Sequence, residues 1–266
     1  MSDADGGAPL LRLRAITKSF GAVQALSGVD LDVPPGQVTA LVGDNGAGKS
    51  TLIKAIAGIY PADGGEISWS GRPTTIQSPG DATRLGIATV YQDLALCDNL
   101  DIVQNMFLGR EVLRYGVLDE PAMEKTAGKT LAEMSVTTVK SIRQLVGSLS
   151  GGQRQAVAVA RAIMWDAKLV ILDEPTAALG VSQTAMVLQL IERLSTQGIA
   201  ILFISHNLND VFAVADRIAV LRLGRMAEQG PLSDYDAQSV VELITTGTTS
   251  RAGGTARRPA AASREG

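Results

Sequence analysis

The period of the apolar positions changes several times along the chain, and each change predicts an element. Leu10-Leu11-Arg12-Leu13-Arg14-Ala15-Ile16 alternates at period two, the mark of a half-buried strand. Leu31-Asp32-Val33 runs into Pro34-Pro35-Gly36 and predicts a second strand ending in a turn. The short apolar run Val38–Val42 feeds a glycine-rich segment, and Thr51–Ala57 continues as a helix stopped by Gly58. From Asp93 to about Ser148 the pattern is mostly helical and more polar. Apolar runs of strand length return at Leu169–Leu172, Ile199–Ile204 and Ile218–Leu223, separated by helical stretches. Strands alternating with helices of this length predict an α/β fold, with a parallel sheet covered on both faces. The stretch 93–148 then reads as a helical insertion between two pieces of one core. Residues 1–9 read as a flexible tail, and the small, polar, Arg-bearing residues 247–266 are expected to be disordered.

Composition narrows the setting. The chain has 266 residues, 45 % of them hydrophobic and 19 % charged, which is ordinary for a soluble globular protein. A mean hydropathy of +0.16 is slightly oily for a free enzyme and favours a docked partner. The net charge of −3 supplies no basic field, so no nucleic-acid partner is expected. No apolar stretch is long enough to span a bilayer, and Met1-Ser2-Asp3-Ala4-Asp5 does not read as a leader. Cys97 is the only cysteine, so no internal disulfide can form and a reducing compartment fits.

The segment Gly43-Asp44-Asn45-Gly46-Ala47-Gly48-Lys49-Ser50 matches the phosphate-binding pattern GxxxxGK[ST], followed by Thr51. Its glycines let backbone N–H groups converge on phosphates, and the helix beginning near Lys49 turns its positive end toward them. Lys49 would reach the β- and γ-phosphates, and the Ser50 hydroxyl would ligate Mg²⁺. The strand Leu169–Leu172 delivers Asp173 and Glu174 to the carboxyl edge of the sheet, where open α/β folds bind ligands. Asp173 is the expected Mg²⁺ partner and Glu174 the candidate general base for an attacking water. His206, the only histidine, follows another core strand and falls on the same edge. In Ser150-Gly151-Gly152-Gln153 the serine reads as the N-cap of a helix aimed at an anion.

The order GxxxxGKS, then Leu149-Ser150-Gly151-Gly152-Gln153, then Ile171-Leu172-Asp173-Glu174-Pro175 resembles the ATP-binding cassette (ABC) family. The resemblance covers roughly Leu10 to Gly230. It implies a P-loop NTPase with a RecA-like parallel-sheet core, an N-terminal antiparallel β subdomain and an inserted helical subdomain. The ATPase domain would run over 10–246, with 10–92 and 157–246 as core and 93–156 as the helical subdomain. ATP and Mg²⁺ are the implied cofactors. Gln92 resembles the glutamine that reaches Mg²⁺ or the attacking water and relays occupancy to a membrane partner. His206 stands where the family contacts the γ-phosphate. Phe20 stands where the family stacks an aromatic on adenine, although a core phenylalanine is the plainer reading. Leu149 to Gln153 would contact nucleotide held by a second copy, which implies a homodimer.

The segments Asp173–Val181, Tyr91–Leu96 and Asn105–Glu111 are similar to the branch of bacterial importers that take up pentoses and other monosaccharides. Gly180 stands where most ABC ATPases carry aspartate, and it is itself typical of that branch. The resemblance implies permease subunits as direct partners, a periplasmic sugar-binding protein as an indirect one, and a peripheral location on the cytoplasmic face of the cell membrane. A non-transport ABC ATPase, an export or lipid ATPase, and an unrelated phosphate-loop kinase remain as alternatives. The last leaves Leu149–Gln153, Gln92 and His206 without a role.

Overall fold

The computed structural model describes residues 8–134, 139 and 141–249. Residues 1–7 and 250–266, most of the two expected tails, lie outside the described residues. The chain opens with two strands, β1 (Leu11–Phe20) and β2 (Val23–Val33). Both run longer than the alternation that predicts them, because register shifts between Leu13 and Ser19 carry the pairing on through polar sequence. Then come β3 (Val38–Val42), α1 (Lys49–Ile56), β4 (Gly64–Trp69), β5 (Arg72–Thr74), α2 (Pro79–Leu85) and β6 (Ile87–Val90). The expected helical stretch holds α3 (Ile102–Phe107), a hairpin of β7 (Leu113–Arg114) and β8 (Val117–Leu118), and α4 (Glu120–Glu133). The remainder is α5 (Gly151–Ile163), β9 (Leu169–Asp173), α6 (Val181–Thr196), β10 (Ala200–Ile204), α7 (Leu208–Val214), β11 (Arg217–Arg222), β12 (Arg225–Pro231) and α8 (Ala237–Thr246).

The central sheet has the order β12-β11-β3-β10-β9-β6, parallel throughout except for the antiparallel edge strand β12. A second, antiparallel sheet has the order β2-β1-β4-β5. The buried strands look uniformly apolar in sequence because both of their faces are covered. Their alternation reappears as membership of two cores. Val170, Leu172, Ile201, Phe203, Ile218 and Val220 face a core shared with α3, α4, α5 and α6. Leu169, Ile171, Ala200, Leu202, Ile204, Ala219 and Leu221 face the other, shared with α1 and the antiparallel sheet.

Polar groups hold the helical segment together alongside its apolar core. Arg143 donates to Asp101 at 3.0 Å and to Glu120 and Glu124 at 2.6 Å each, joining the N-termini of α3 and α4 to the chain that leads into α5. Helix α5 runs unbroken through residue 156, where the helical segment is expected to end. Residues 247–249, expected within the disordered tail, instead fold back on α8: Gly247 closes the helix in a left-handed conformation, and Thr249 donates to Glu242 at 3.2 Å. Among the described residues, no helix is long and apolar enough to cross a membrane.

Candidate functional site

Three parallel strands end at one edge of the sheet, and the loops that leave them meet there. The loop after β3 turns through Gly43 (φ 154°), Gly46 (φ 80°) and Gly48 (φ 104°) before α1 begins. Gly48 caps that helix without any side-chain bond, leaving its first N–H groups facing the loop's concavity. Lys49 lies over its own loop, donating to the carbonyls of Gly43 at 2.6 Å and Asp44 at 3.0 Å. The loop is tied from behind by the turn between β11 and β12: Gly224 N–H donates to Ala47 O at 2.9 Å, and Ser27 N–H to Gly224 O at 2.7 Å.

Strand β9 delivers Asp173 and Glu174 to the same edge. Glu174 takes a left-handed backbone conformation, φ 52°, and its N–H donates to Ile204 O at 3.0 Å across to β10. One residue past that strand end, Ser205 leads to His206, whose Nδ1 hydrogen-bonds Glu174 Oε2. Glu174 is mostly buried while His206 is exposed, so the imidazole reaches in from solvent. Burial first, and then the Glu174 carboxylate, raise the Asp173 pKa above the ordinary carboxylate range, while Lys49 and Lys54 pull it down. Burial lowers the Lys49 pKa, opposed by Glu174, Asp173 and Asp44.

A cleft of about 770 Å³ results, lined by Gly43 through Thr51, Gln92, Asp173, Glu174 and His206. Sequence reasoning missed Val23, Gln24, Ala25, Leu223 and Gly224, which also line it. Val23, Gln24 and Ala25 open β2 and Leu223 and Gly224 form the β11–β12 turn, all brought in by sheet pairing, and nothing in their own residue types marks them. Phe20 is not among the lining residues. It is 44 % exposed, at the end of β1 next to the cleft-lining start of β2, edge-on to Tyr60 with ring centroids 5.2 Å apart and with the Lys18 ammonium 5.6 Å from its own centroid. The plainer reading of Phe20 as a core residue is therefore wrong, and Tyr60 is an aromatic neighbour that sequence alone did not flag.

Leu149, Ser150, Gly151, Gly152 and Gln153 do not line this cleft. Ser150 caps α5 as expected, and the cap is reciprocal: Ser150 Oγ accepts from Gln153 N–H, and Gln153 Oε1 from Ser150 N–H at 2.9 Å. The two glycines leave room for side chains packed over them from α6 and the turn before it, since a Cβ would stand 2.8 Å from Leu179 Cδ2 at Gly151 and 2.6 Å from Met186 Cε at Gly152. Gly180, by contrast, is extended with open space around it, so neither backbone conformation nor packing demands a glycine there.

Comparison with known proteins agrees with this arrangement. The family described as ABC transporter matches residues 26–177. The fructose import ATP-binding protein FrcA of Rhizobium meliloti is 48 % identical over 244 residues, covering 89 % of this chain and 94 % of that one. The xylose/arabinose import ATP-binding protein XylG of Sulfolobus acidocaldarius is 44 % identical, with coverage of 89 % and 94 %. A ribose import ATP-binding protein RbsA 1 of Rubrobacter xylanophilus is 44 % identical over 82 % of this chain but only 43 % of its own length. Among solved structures, an ATP-binding cassette of an ABC transporter in its ADP conformation superposes with a TM-score of 0.76 and 27 % identity, covering 89 % of this chain and 95 % of that one. With a family match over more than half of its residues and two of these import relatives aligned along most of both lengths, the chain belongs to the ABC transporter family.

Proposed function

We propose that this chain is the ATP-binding and ATP-hydrolysing subunit of a bacterial importer for a monosaccharide. The carrying observation is the cleft itself, where a phosphate-binding loop, two carboxylates, a glutamine and the only histidine converge. Within it, Lys49 and the loop N–H groups of residues 43–51 would hold the phosphates, Glu174 would polarise water, and His206 would orient that carboxylate and the γ-phosphate. Phe20, exposed beside the β1–β2 turn, would stack on adenine. The sequence 149–153 lies away from its own cleft, which supports its use on the nucleotide of a second copy in a homodimer. On this reading 10–92 and 157–246 form the core and 93–156 the helical subdomain.

The donor set fits Mg²⁺. A hydroxyl from Ser50, an amide oxygen from Gln92 and a carboxylate from Asp173 are hard oxygen ligands with only one charge among them. Among the described residues no cluster of three or more His, Cys, Asp or Glu could hold a metal unaided, so the nucleotide's phosphates would complete the shell. Bound with ATP, the ion would neutralise phosphate charge. Asp173 carries the cost of this arrangement. Its folded pKa stands above its ordinary value of 3.8, so its ionisation opposes folding. That penalty is absent below pH 3.8 and complete above the raised folded value. Asp173→Asn is therefore expected to raise the Tm of the nucleotide-free chain at pH 7 and to lose the further rise that Mg²⁺ gives with ATP. A lower Tm without nucleotide would contradict the electrostatic account.

A groove of about 410 Å³, lined among others by Tyr91, Met106, Leu108, Arg110 and Trp165, begins one residue before Gln92. Its mixed apolar and cationic lining, beside the glutamine expected to sense nucleotide, supports contact with a membrane permease at the cytoplasmic face. Cys97, part-buried and fixed by Asn105, lies in the segment just beyond Gln92. A periplasmic sugar-binding protein would act through the permease and not touch this chain, and no nucleic-acid partner is proposed. Gentle detergent capture of the tagged chain from its native membranes tests the assignment. Recovery of a multi-spanning permease with a sugar-binding protein is expected; recovery of ribosomes or DNA-repair proteins would overturn the transport reading.

A further inference from the structure

Two loops carry Glu174 and His206 to the reaction edge, and the two side chains meet there. The turn after β9 places Glu174 at φ 52° and Ala178 at φ 61°, two left-handed non-glycine residues within five positions. Its internal bonds are thin: Ala177 N–H to Glu174 O at 3.1 Å and Leu179 N–H to Thr176 O at 3.3 Å. The loop after β10 turns on Asn207 N–H donating to Ser205 Oγ at 3.0 Å, and His206 itself is 70 % exposed. Two bonds at Glu174 itself join the loops, its N–H to Ile204 O and its carboxylate to His206, and a third lies behind them. Thr176 Oγ1 donates to Asp210 Oδ2 at 2.7 Å, joining the turn that follows Glu174 to the first turn of α7, which follows His206. Asp210 is only 6 % exposed, a carboxylate buried beside the reaction edge that the hydrolytic scheme does not use.

We propose that Asp210 is a positioning residue for hydrolysis, acting through Thr176 to hold the Glu174 turn in register with the His206 loop. A buried carboxylate is costly unless donors surround it, so the Thr176 hydroxyl is drawn to a fixed place. Fixing Thr176 fixes the strained turn two residues from Glu174. The reacting groups gain orientation, and Asp210 touches none of them. Displacing a positioned group by an ångström costs on the order of a hundredfold in rate, so even partial slackening is measurable.

The inference rests on Glu174 being the general base, and the experiment separates the two. Steady-state ATPase rates and ATP affinity are measured on the full chain. Thr176→Val, which removes the hydroxyl at nearly constant volume, is expected to lower kcat about tenfold while ATP affinity stays within about twofold. Thr176→Ser restores the donor and is expected to return kcat to near wild type. Asp210→Ala should lose as much as Thr176→Val, and the double variant no more than the worse single one. Wild-type kcat in Thr176→Val overturns the proposal, as does a joint fall of kcat, ATP affinity and Tm that serine does not rescue. Should Asp210→Ala fail to fold, the valine and serine variants decide. Wild-type turnover in Glu174→Gln, with Thr176 and Asp210 intact, overturns the base assignment and this inference with it.

Discussion

Glu174→Gln is expected to bind ATP, lose turnover by about 10²–10⁴ fold, and accumulate as a dimer with nucleotide trapped between two chains. The amide keeps the size of the carboxylate and can still meet His206, so the cleft stays assembled. What it lacks is the negative charge that polarises water. The phosphate loop of residues 43–50 and Lys49 are untouched, so binding persists where chemistry stops. Light scattering on a sizing column, with and without ATP, reads the dimer; a single-turnover assay reads the chemistry. A variant that stays monomeric at saturating ATP would count against two chains sharing each nucleotide. One that hydrolyses at the wild-type rate would remove Glu174 from the role of base.

The parts of this cleft that sequence made legible are those carried by one continuous segment. Gly43 to Ser50 is such a segment, since strand, loop and helix follow one another and each is marked by its own residue types. Asp173 and Glu174 follow a strand whose apolar run is visible without partners, and so does His206. The central sheet was legible for the same reason, because strands buried on both faces remain apolar throughout. What sequence could not supply is convergence between distant segments. Ala25, Leu223 and Gly224 reach the phosphate loop only through two strand-pairing registers. The Glu174–His206 contact and the Thr176–Asp210 bond cross 32 and 34 residues, and polar pairs of that span leave no periodic trace. The hairpin β7–β8 was missed for a different reason: two residues per strand are too few to show alternation, and its apolar side chains stay exposed.

The glycines of the phosphate loop are not equivalent, and Gly43→Ala is expected to be the most damaging alanine substitution among them. At Gly43 the backbone is left-handed, φ 154°, and an added Cβ would stand 2.1 Å from the carbonyl oxygen of Leu221, with Ala47 Cβ at 3.2 Å. The obstructing atom belongs to the backbone of β11, so no rotamer change relieves it. Either the loop lifts off the sheet or β11 shifts. Strain and overpacking together place the cost at about 3 kcal/mol or more. For a chain of this size that lowers Tm by roughly 6–12 °C. Binding should suffer beyond the stability loss, because Lys49 is aligned by the Gly43 carbonyl at 2.6 Å and moves with it. Gly46 is the internal control. Its φ of 80° is also left-handed, but nothing lies within 4 Å of the added carbon, so only the backbone strain remains, about 1 kcal/mol. Thermal unfolding and nucleotide titration of the two alanine variants distinguish the cases. Equal losses at both positions would mean that glycine serves this loop through backbone freedom alone, and that the close approach of β11 does not shape the phosphate site.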